Sequence, residues 1–229
     1  MEKHPLHGVI NMQIERPPKD IVEAFRKHDA CKVADAMARG GVMDYEIKPI
    51  RTGMKVCGPA VTVWTRPGDA LFILKASDVV QPGDVIVVDA GGNKNVAGTG
   101  EGLSGYFQQR GAEGQVIDAG ARDTRGIATI GFSTFSRSAC VAVYGSVGPG
   151  AINIPIQCGG VIVHPGDLII GDDDGVVVVP RASVRDVLKL ADEHLAGEQS
   201  RASQIRAGKK LSEVQNLEPR IAAWRSSSA

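Results

Sequence analysis

The run Val85-Ile86-Val87-Val88-Asp89 decides the fold class of this chain. It is an unbroken apolar stretch closed by an acid, which is typical of a strand that is covered on both faces. A glycine-rich segment follows at 91–105, a helix is predicted over 106–110, and Gly114-Gln115-Val116-Ile117-Asp118 predicts the next strand. This order of strand, glycine loop, helix and strand is a βαβ unit.

Shorter predicted elements surround the βαβ unit on both sides. Before it we predict helices from about residue 19 and over 32–39, a strand over 56–65 and a helix over 70–76. After it we predict strands over 131–135, 140–144, 152–157, 161–163, 168–170 and 176–179, then a long amphipathic helix over 183–203. The fold class is therefore α/β, a mixed β sandwich or barrel with flanking helices and a C-terminal helical arm. We expect a single domain over 1–229, with a core over about 14–180 and the arm over about 181–225.

Composition limits the classes of partner. Lys plus Arg total 26 and Asp plus Glu total 26, so the chain lacks the basic excess of a protein that binds nucleic acid or an anionic membrane. No stretch approaches the roughly 20 apolar residues that span a bilayer, and the N-terminal residues show no leader pattern. The four separated cysteines are too few for a disulfide framework. We expect a soluble, cytoplasmic protein whose partner is a small molecule or another copy of itself.

The glycine-rich segment is the first candidate binding element. The stretch Gly98-Thr99-Gly100-Glu101-Gly102-Leu103-Ser104-Gly105 lets backbone approach a ligand, and a helix that begins there would direct free N–H groups at a carboxylate or phosphate. The same stretch contains a formal Gly-x-Gly-x-x-Gly pattern. A dinucleotide fingerprint opens directly from its strand, whereas ten residues separate Asp89 from Gly100. We therefore do not predict a dinucleotide cofactor.

The adjacent pair Arg122 and Asp123 is the second candidate. It follows the predicted strand end at Asp118 and the small residues Ala119-Gly120-Ala121. An arginine next to an aspartate can be a plain surface salt bridge. Small neighbours, however, leave room above the sheet, at the carboxyl ends of the strands where α/β proteins hold ligands.

These residues together resemble a known family. Gly100-Glu101, twenty intervening residues and then Arg122-Asp123 match the acidic-x20-Arg-Asp motif of the RraA-like aldolases, which include 4-hydroxy-4-methyl-2-oxoglutarate and 4-carboxy-4-hydroxy-2-oxoadipate aldolase. The segments 116–124, 165–167 and 172–179 are also similar to those enzymes. The resemblance covers roughly 14–208. It implies an RraA-like fold, which is similar to that of the phosphohistidine swivelling domains.

The resemblance implies a class II pyruvate aldolase that uses a divalent metal cation, Mg²⁺ or Mn²⁺, to polarise a 2-oxo acid substrate. Asp123 matches the direct metal ligand. Glu101 matches an acid, often Asp in relatives, that holds metal-bound water or positions the water that moves protons. Arg122 would bind the pyruvyl oxygens and stabilise the enolate that forms when the carbon–carbon bond breaks.

The substrate carboxylate would be bound by backbone N–H groups of Gly100, Glu101, Gly102 and Leu103. The family loop usually reads Gly-acid-Leu-Leu, so Gly102 and Ser104 depart from its pattern and alter the expected shape of the pocket. The implied reaction is retro-aldol cleavage of a 4-hydroxy-2-oxo diacid to pyruvate and a second 2-oxo acid, with oxaloacetate decarboxylation through the same enolate. A lysine Schiff base would be a competing mechanism, but no lysine lies within either motif.

The resemblance also implies homotrimers, or hexamers built from two trimers, with active sites between subunits. Glu198 aligns roughly with a glutamate that relatives contribute to a neighbouring subunit's site. On the predicted C-terminal helix, an apolar stripe would suit packing on a neighbour; it comprises Val184, Val187, Leu188, Leu190 and Ala191.

The main alternative is a non-catalytic regulator of the RraA type, which acts on ribonuclease E by protein–protein contact. Such regulators tend to lack the acid that follows the arginine, so Asp123 favours catalysis. Two other features are predicted to be structural: His164, which precedes a Pro-Gly turn, and the acidic turn Asp172-Asp173-Asp174.

Overall fold

The computed structural model describes residues 7–227 of the chain. Within them the strands are β1 (Lys48–Pro49), β2 (Val56–Thr65), β3 (Val85–Thr99), β4 (Gly114–Ala121), β5 (Ser133–Ala139), β6 (Gly150–Ile152), β7 (Ile156–Cys158), β8 (Val161–Val163), β9 (Leu168–Asp172) and β10 (Gly175–Val179). The α-helices are α1 (Lys19–Phe25), α2 (Ala30–Ala36), α3 (Leu71–Ala76), α4 (Glu101–Gln109), α5 (Thr124–Ile130), α6 (Val184–Arg206), α7 (Leu211–Val214) and α8 (Leu217–Ser227). Residues 1–6, on which the expectation about a leader segment rests, lie outside the described residues.

An eight-stranded sheet forms the body of the protein. Its order is β1-β5-β4-β3-β2-β9-β10, and β6 also pairs with β2. The neighbours β2, β3, β4 and β5 run parallel, whereas β9, β10 and β1 are antiparallel to their partners. Val42, in the segment leading into β1, forms a bridge with Val177 of β10, so the two edges meet and the sheet is nearly closed into a barrel. The predicted fold class, a mixed α/β barrel with flanking helices and a C-terminal helical arm, is confirmed.

Successive side chains of β3 point to opposite faces of the sheet, and both faces are buried, which explains the unbroken apolar sequence of this strand. Val85 and Val87 face the interior of the barrel, where they pack with Phe135 and Ile169. The intervening Ile86 and Val88 face a second core beneath α3, α4 and α5. The strand is thus covered on both faces, as its sequence predicts.

A third core lies where α1, α2 and α6 cover β9 and β10. Val184, Val187 and Ala191 of α6 are buried within this chain, at 4%, 7% and 0% exposure. The prediction that this stripe packs on a neighbouring copy is therefore wrong for these three residues. The physical reason is that α1 and α2 supply apolar partners of their own, including Phe25 and Val33.

Two predictions about strands are also wrong. The segment 140–144 forms single backbone hydrogen bonds, such as Ala97 N–H to the Ala142 carbonyl (3.0 Å), and no strand ladder. The predicted strand over 152–157 is split into β6 and β7, because Asn153 adopts a left-handed conformation (φ 57°) and Pro155 has no N–H to donate.

No helix within residues 7–227 is long and apolar enough to cross a membrane.

Two Pro-Gly-Asp corners, at 82–84 and 165–167, use the same turn chemistry. The buried Asp84 carboxylate accepts the Gln81 N–H (2.8 Å), and the buried Asp167 carboxylate accepts the His164 N–H (2.8 Å). Each corner leads into a buried strand, β3 in one case and β9 in the other. Asp84 also receives both Nε and Nη2 of Arg16 at 2.7 Å, which fixes the N-terminal segment to the first corner.

Candidate active site

Arg122 and Asp123 lie directly after β4, at the carboxyl end of the parallel strands. Asp123 adopts a left-handed conformation (φ 52°, ψ 34°), which aspartate tolerates better than most residues, and its carbonyl accepts the Ile127 N–H at 3.0 Å. The chain can therefore reverse within one residue and start α5 at once. The Arg122 N–H donates to the Thr99 carbonyl (3.1 Å), so the pair is also tied to the end of β3.

The glycine segment and the Arg-Asp pair are in direct contact. Thr99 pairs with Ala121 in the sheet, and α4 begins at Glu101, so the two chain segments leave neighbouring strands side by side. The Glu101 N–H donates to Asp123 Oδ2 at 3.4 Å. A Cβ at Gly100 would lie 2.8 Å from the same oxygen and 3.2 Å from Arg122 Cγ. Glycine at this position is what allows the two segments to approach.

Arg122 and Asp123 form a weak ion pair that leaves both groups accessible. Arg122 Nε lies 3.2 Å from Asp123 Oδ2, and the side chains are 35% and 41% exposed. A single partly exposed contact of this kind contributes at most about 1 kcal/mol. Either group can therefore turn to a ligand at little energetic cost.

Glu101 rests against α5. A Cβ built on Gly126 would lie 2.0 Å from Glu101 Oε2 and 2.4 Å from its Cδ, so the carboxyl group occupies the space that any larger residue at 126 would need. Sequence reasoning did not identify Gly126 as part of the site. The available signal was a glycine inside a helix, which is unfavourable unless packing requires it.

The two departures from the family loop have different surroundings. Gly102 is exposed, and a Cβ there would meet nothing within 4 Å, so its surroundings leave room for a side chain. Ser104 is fully buried and hydrogen-bonds within the interior, to Gln115 (2.7 Å) and Thr99 (3.3 Å). Leu103 is also buried, in the core beneath α4, so it offers the site its backbone N–H and not its side chain.

The donor set suits a hard divalent cation held largely by water. Magnesium typically takes one or two carboxylates and keeps several waters. Asp123 is exposed and accepts only long hydrogen bonds through Oδ2, from Arg122 Nε at 3.2 Å and from the Glu101 backbone N–H at 3.4 Å. Within residues 7–227 no three His, Cys, Asp or Glu side chains converge to form a metal cage. The residues present therefore fit a magnesium or manganese ion with an open coordination sphere.

Asp118, the acid that ends the predicted strand, is occupied elsewhere. It is buried inside the barrel and pairs with Nε of Arg137, whose Nη1 contacts Asp44 (2.9 Å) and Glu46 (3.0 Å). Burial opposes the charge on Arg137, but hydrogen bonds to Asp118 and Asp44 outweigh it and raise the pKa of Arg137. The Asp118 carboxylate is therefore engaged within the barrel and is not directed to the candidate site.

Three other sequence candidates lie outside this cluster. The acidic turn joins β9 to β10, where Asp172 accepts the Ala30 N–H at the start of α2 (2.8 Å) and Asp173 accepts the Gly53 N–H (2.7 Å), as a structural turn would. His164 is part of the second Pro-Gly-Asp corner. Glu198 lies on α6 and forms an ion pair with Lys32 of α2 (2.7 Å).

Comparison with known proteins places this arrangement in context. The family model described as RraA-like, Aldolase/RraA, matches residues 30–178, more than half of the chain. A protein from Halalkalibacterium halodurans, provisionally named as a 4-hydroxy-4-methyl-2-oxoglutarate aldolase, is 38% identical over 186 residues, covering 81% of this chain and 89% of that protein.

Solved structures agree with the sequence match. Streptomyces coelicolor RraAS2, described as an unusual member of the RNase ES inhibitor RraA family, has a TM-score of 0.74 and 30% identity, covering 83% of this chain and 100% of that one. An uncharacterized protein from Pseudomonas syringae shares the fold with a TM-score of 0.80 at 24% identity, covering 90% and 97%. The chain therefore belongs to the RraA-like family, Aldolase/RraA.

Proposed function

We propose that this protein is a divalent-metal-dependent aldolase that cleaves a 4-hydroxy-2-oxo diacid to pyruvate and a second 2-oxo acid. The substrate class includes 4-hydroxy-4-methyl-2-oxoglutarate and 4-carboxy-4-hydroxy-2-oxoadipate. The observation that carries the proposal is the contact of the Glu101 backbone N–H with the Asp123 carboxylate, beside Arg122, at the ends of β3 and β4. This cluster combines an acid for a cation, a second acid for proton transfer and a permanent positive charge.

Substrate binding would use the start of α4 and Arg122 together. The first N–H groups of a helix have no partner within the helix and attract a carboxylate. The substrate carboxylate would therefore bind to backbone N–H groups of Gly100 to Leu103. Arg122, always charged, would donate to the 2-oxo oxygen, where negative charge develops.

Asp123 would hold Mg²⁺ or Mn²⁺, with water completing the coordination. When bound, the cation supplies Lewis-acid polarisation of the 2-oxo group. The long contacts of the Asp123 carboxylate leave it free to turn toward the cation.

Glu101 would position a water molecule that accepts the proton of the 4-hydroxyl group. As that proton leaves, the C3–C4 bond breaks, its electron pair moves toward the 2-oxo group, and the second 2-oxo acid departs. Arg122 stabilises the resulting enolate, which takes a proton at C3 to give pyruvate. Decarboxylation of oxaloacetate would release CO₂ and pass through the same enolate, so we propose it as a side activity.

The test is release of pyruvate from several 4-hydroxy-2-oxo diacids, followed through lactate dehydrogenase, with and without metal. We expect Asp123→Ala to lower kcat/KM by at least about 100-fold and chelation to abolish turnover until Mn²⁺ is restored. Asp78→Ala removes an exposed acid that follows α3 and pairs with Lys75, outside the cluster of Glu101, Arg122 and Asp123, and should behave as wild type. Activity that survives both Asp123→Ala and chelation would exclude the metal mechanism.

A second candidate function is regulation of ribonuclease E by protein contact. The observation that favours it is the similarity to RraAS2, which is described as a member of an inhibitor family. A protein that slows RNA cleavage by ribonuclease E but releases no pyruvate from any substrate tested would support this alternative over catalysis.

We also propose self-association as a homotrimer or hexamer in the cytoplasm, with Glu198 contributing to a neighbouring site. Three exposed valines, at 93%, 61% and 79%, support an apolar contact surface; they are Val141, Val143 and Val147. Glu198 would have to leave Lys32 to reach a neighbour. A monomeric mass by light scattering would exclude this part of the proposal.

A further inference from the structure

We infer that Gln115 is a positioning residue, whose buried amide fixes the first turn of α4 in relation to Arg122. The inference rests on the proposed function, because it concerns how the carboxylate-binding turn is held. Gln115 lies on β4 and does not touch the candidate site directly. It acts through Thr99 and Ser104, which belong to the two segments that form the site.

The amide of Gln115 is hydrogen-bonded on three sides. Nε2 donates to Ser104 Oγ (2.7 Å) and to Thr134 Oγ1 (2.9 Å), and Oε1 accepts the Thr99 hydroxyl (3.1 Å). All four side chains have 0% exposure. A buried amide is costly unless its hydrogen-bonding groups find partners, and here both N–H groups and the carbonyl do.

The partners of Gln115 lead to the candidate site by short covalent and hydrogen-bonded paths. Ser104 lies in the first turn of α4, and its own N–H donates to the Gly100 carbonyl at 3.0 Å. Thr99 is the last residue of β3, and its carbonyl accepts the Arg122 N–H at 3.1 Å. One side chain therefore connects the turn proposed to bind the carboxylate with the residue that anchors Arg122.

The hydrogen bonds of Gln115 can fix the orientation of α4, which apolar packing at this position could not do. Dispersion and hydrophobic contacts are non-directional and would hold α4 on the sheet while allowing small rotations about its axis. Hydrogen bonds from one rigid amide to Thr99 and Ser104 fix that rotation. A displacement of the turn would lengthen its contacts with the substrate carboxylate equally before and during the reaction, so a fixed distance between the turn and Arg122 should favour substrate binding.

The experiment compares three buried variants under saturating Mg²⁺. Gln115→Met keeps the volume and removes the amide. Ser104→Ala removes the bonds on the α4 side, to Gln115 and Thr99. Thr134→Val removes the bond from Gln115 to β5, together with the bond from the Thr134 hydroxyl to the Phe132 carbonyl. Melting temperature, kcat, KM and the calorimetric affinity for oxalate, a stable mimic of pyruvate enolate, are measured for each. We expect Gln115→Met and Ser104→Ala to raise KM and weaken oxalate binding about tenfold with little change in kcat, which is the pattern of lost uniform binding.

Thr134→Val is the matched control, because it also loses a buried hydrogen bond and should lower the melting temperature without raising KM. Equal effects of all three variants on KM, or wild-type KM and oxalate affinity in Ser104→Ala, would overturn the inference. Ser104→Ala decides the question alone if Gln115→Met fails to fold. A wild-type protein that neither releases pyruvate nor binds oxalate would instead refute the proposed function, and the inference with it.

Discussion

Replacing Gly126 with alanine should move the Glu101 carboxyl group without removing it, and therefore tests whether the position of this group matters for catalysis. The new Cβ would lie 2.0 Å from Glu101 Oε2, and an ordinary contact begins at 3.4 Å, so the carboxyl group must move by about 1.4 Å. The obstructing atoms are the far end of an exposed side chain, which can rotate away. The backbone of α5 therefore has no reason to change.

Two effects of opposite sign are expected from this one substitution. Alanine is favoured over glycine in a helix by about 1 kcal/mol, which corresponds to a rise in Tm of about 2–4 °C for a chain of this length. Displacement of the carboxyl group by more than 1 Å should lower kcat by about 10- to 100-fold. Urea denaturation measures the first effect, and the coupled pyruvate assay measures the second.

Gly105→Ala is the matched control. It makes the same change in α4, and its Cβ would meet Ile130 Cδ1 at 3.8 Å, an ordinary contact. We expect similar stabilisation and unchanged kcat. Wild-type kcat in a correctly folded Gly126→Ala protein would refute the reasoning that the position of Glu101 matters, and a loss of stability would refute the reasoning that its side chain yields.

Three further predictions concern buried or half-buried carboxylates. Arg16→Ala should lower the free energy of unfolding by about 3 kcal/mol, measured by urea denaturation, because it leaves the buried Asp84 carboxylate without its cation. Burial alone would raise the pKa of Asp69, but hydrogen bonds from three backbone N–H groups outweigh burial and lower the pKa. The ionised carboxylate therefore contributes fully to the free energy of unfolding above a pH of about 3.9, and this contribution is lost as the pH falls through the folded pKa. Asp69→Asn should therefore cost about 1.5–3 kcal/mol at pH 7, and the difference should narrow in urea titrations below pH 4. Burial raises the pKa of Asp89, so ionisation destabilises the fold as pH rises through the folded pKa, and Asp89→Asn should be more stable than wild type at pH 7 but not at pH 3.

Sequence was most informative where one physical requirement dominates. The run 85–89 predicts a strand covered on both faces because no residue in it before Asp89 suits water, and β3 has the cores on both sides that this requires. The bounds of β2 and β8 were predicted correctly for a similar reason, since each is delimited by turn residues. The acidic turn and the Pro-Gly turn after His164 were also predicted, from local chemistry alone.

Sequence failed where the outcome depends on distant partners. The valine-rich segment 140–144 has the residues of a strand, but its side chains at 141 and 143 are exposed and its backbone finds no continuous partner. The apolar stripe on α6 would look the same in the sequence whether it packs within the chain or on a neighbouring copy. Only the positions of α1 and α2 show that it packs within the chain.

In the candidate site, too, local residue patterns were predictive and contacts between distant segments were not. Spacing and residue type join Glu101, Arg122 and Asp123 in one hypothesis. In the fold, the Asp123 carboxylate contacts the Glu101 backbone N–H and the Arg122 side chain. The roles of Gly126 and Gln115 depend on what lies across a helix or beneath a strand, which a linear pattern does not contain.

The side chains that carry the proposed chemistry, together with the glycine that accommodates one of them, fall within residues 101–126, which run from the start of α4 through β4 into α5. The three cores draw mainly on residues outside this stretch, so most of the fold's stability does not depend on its reactive groups. On the proposed mechanism, one substitution at Asp123 removes the metal ligand, and the fold should stay intact because that side chain makes only weak, partly exposed contacts. One scaffold can then serve catalysis or protein binding with little change to its core.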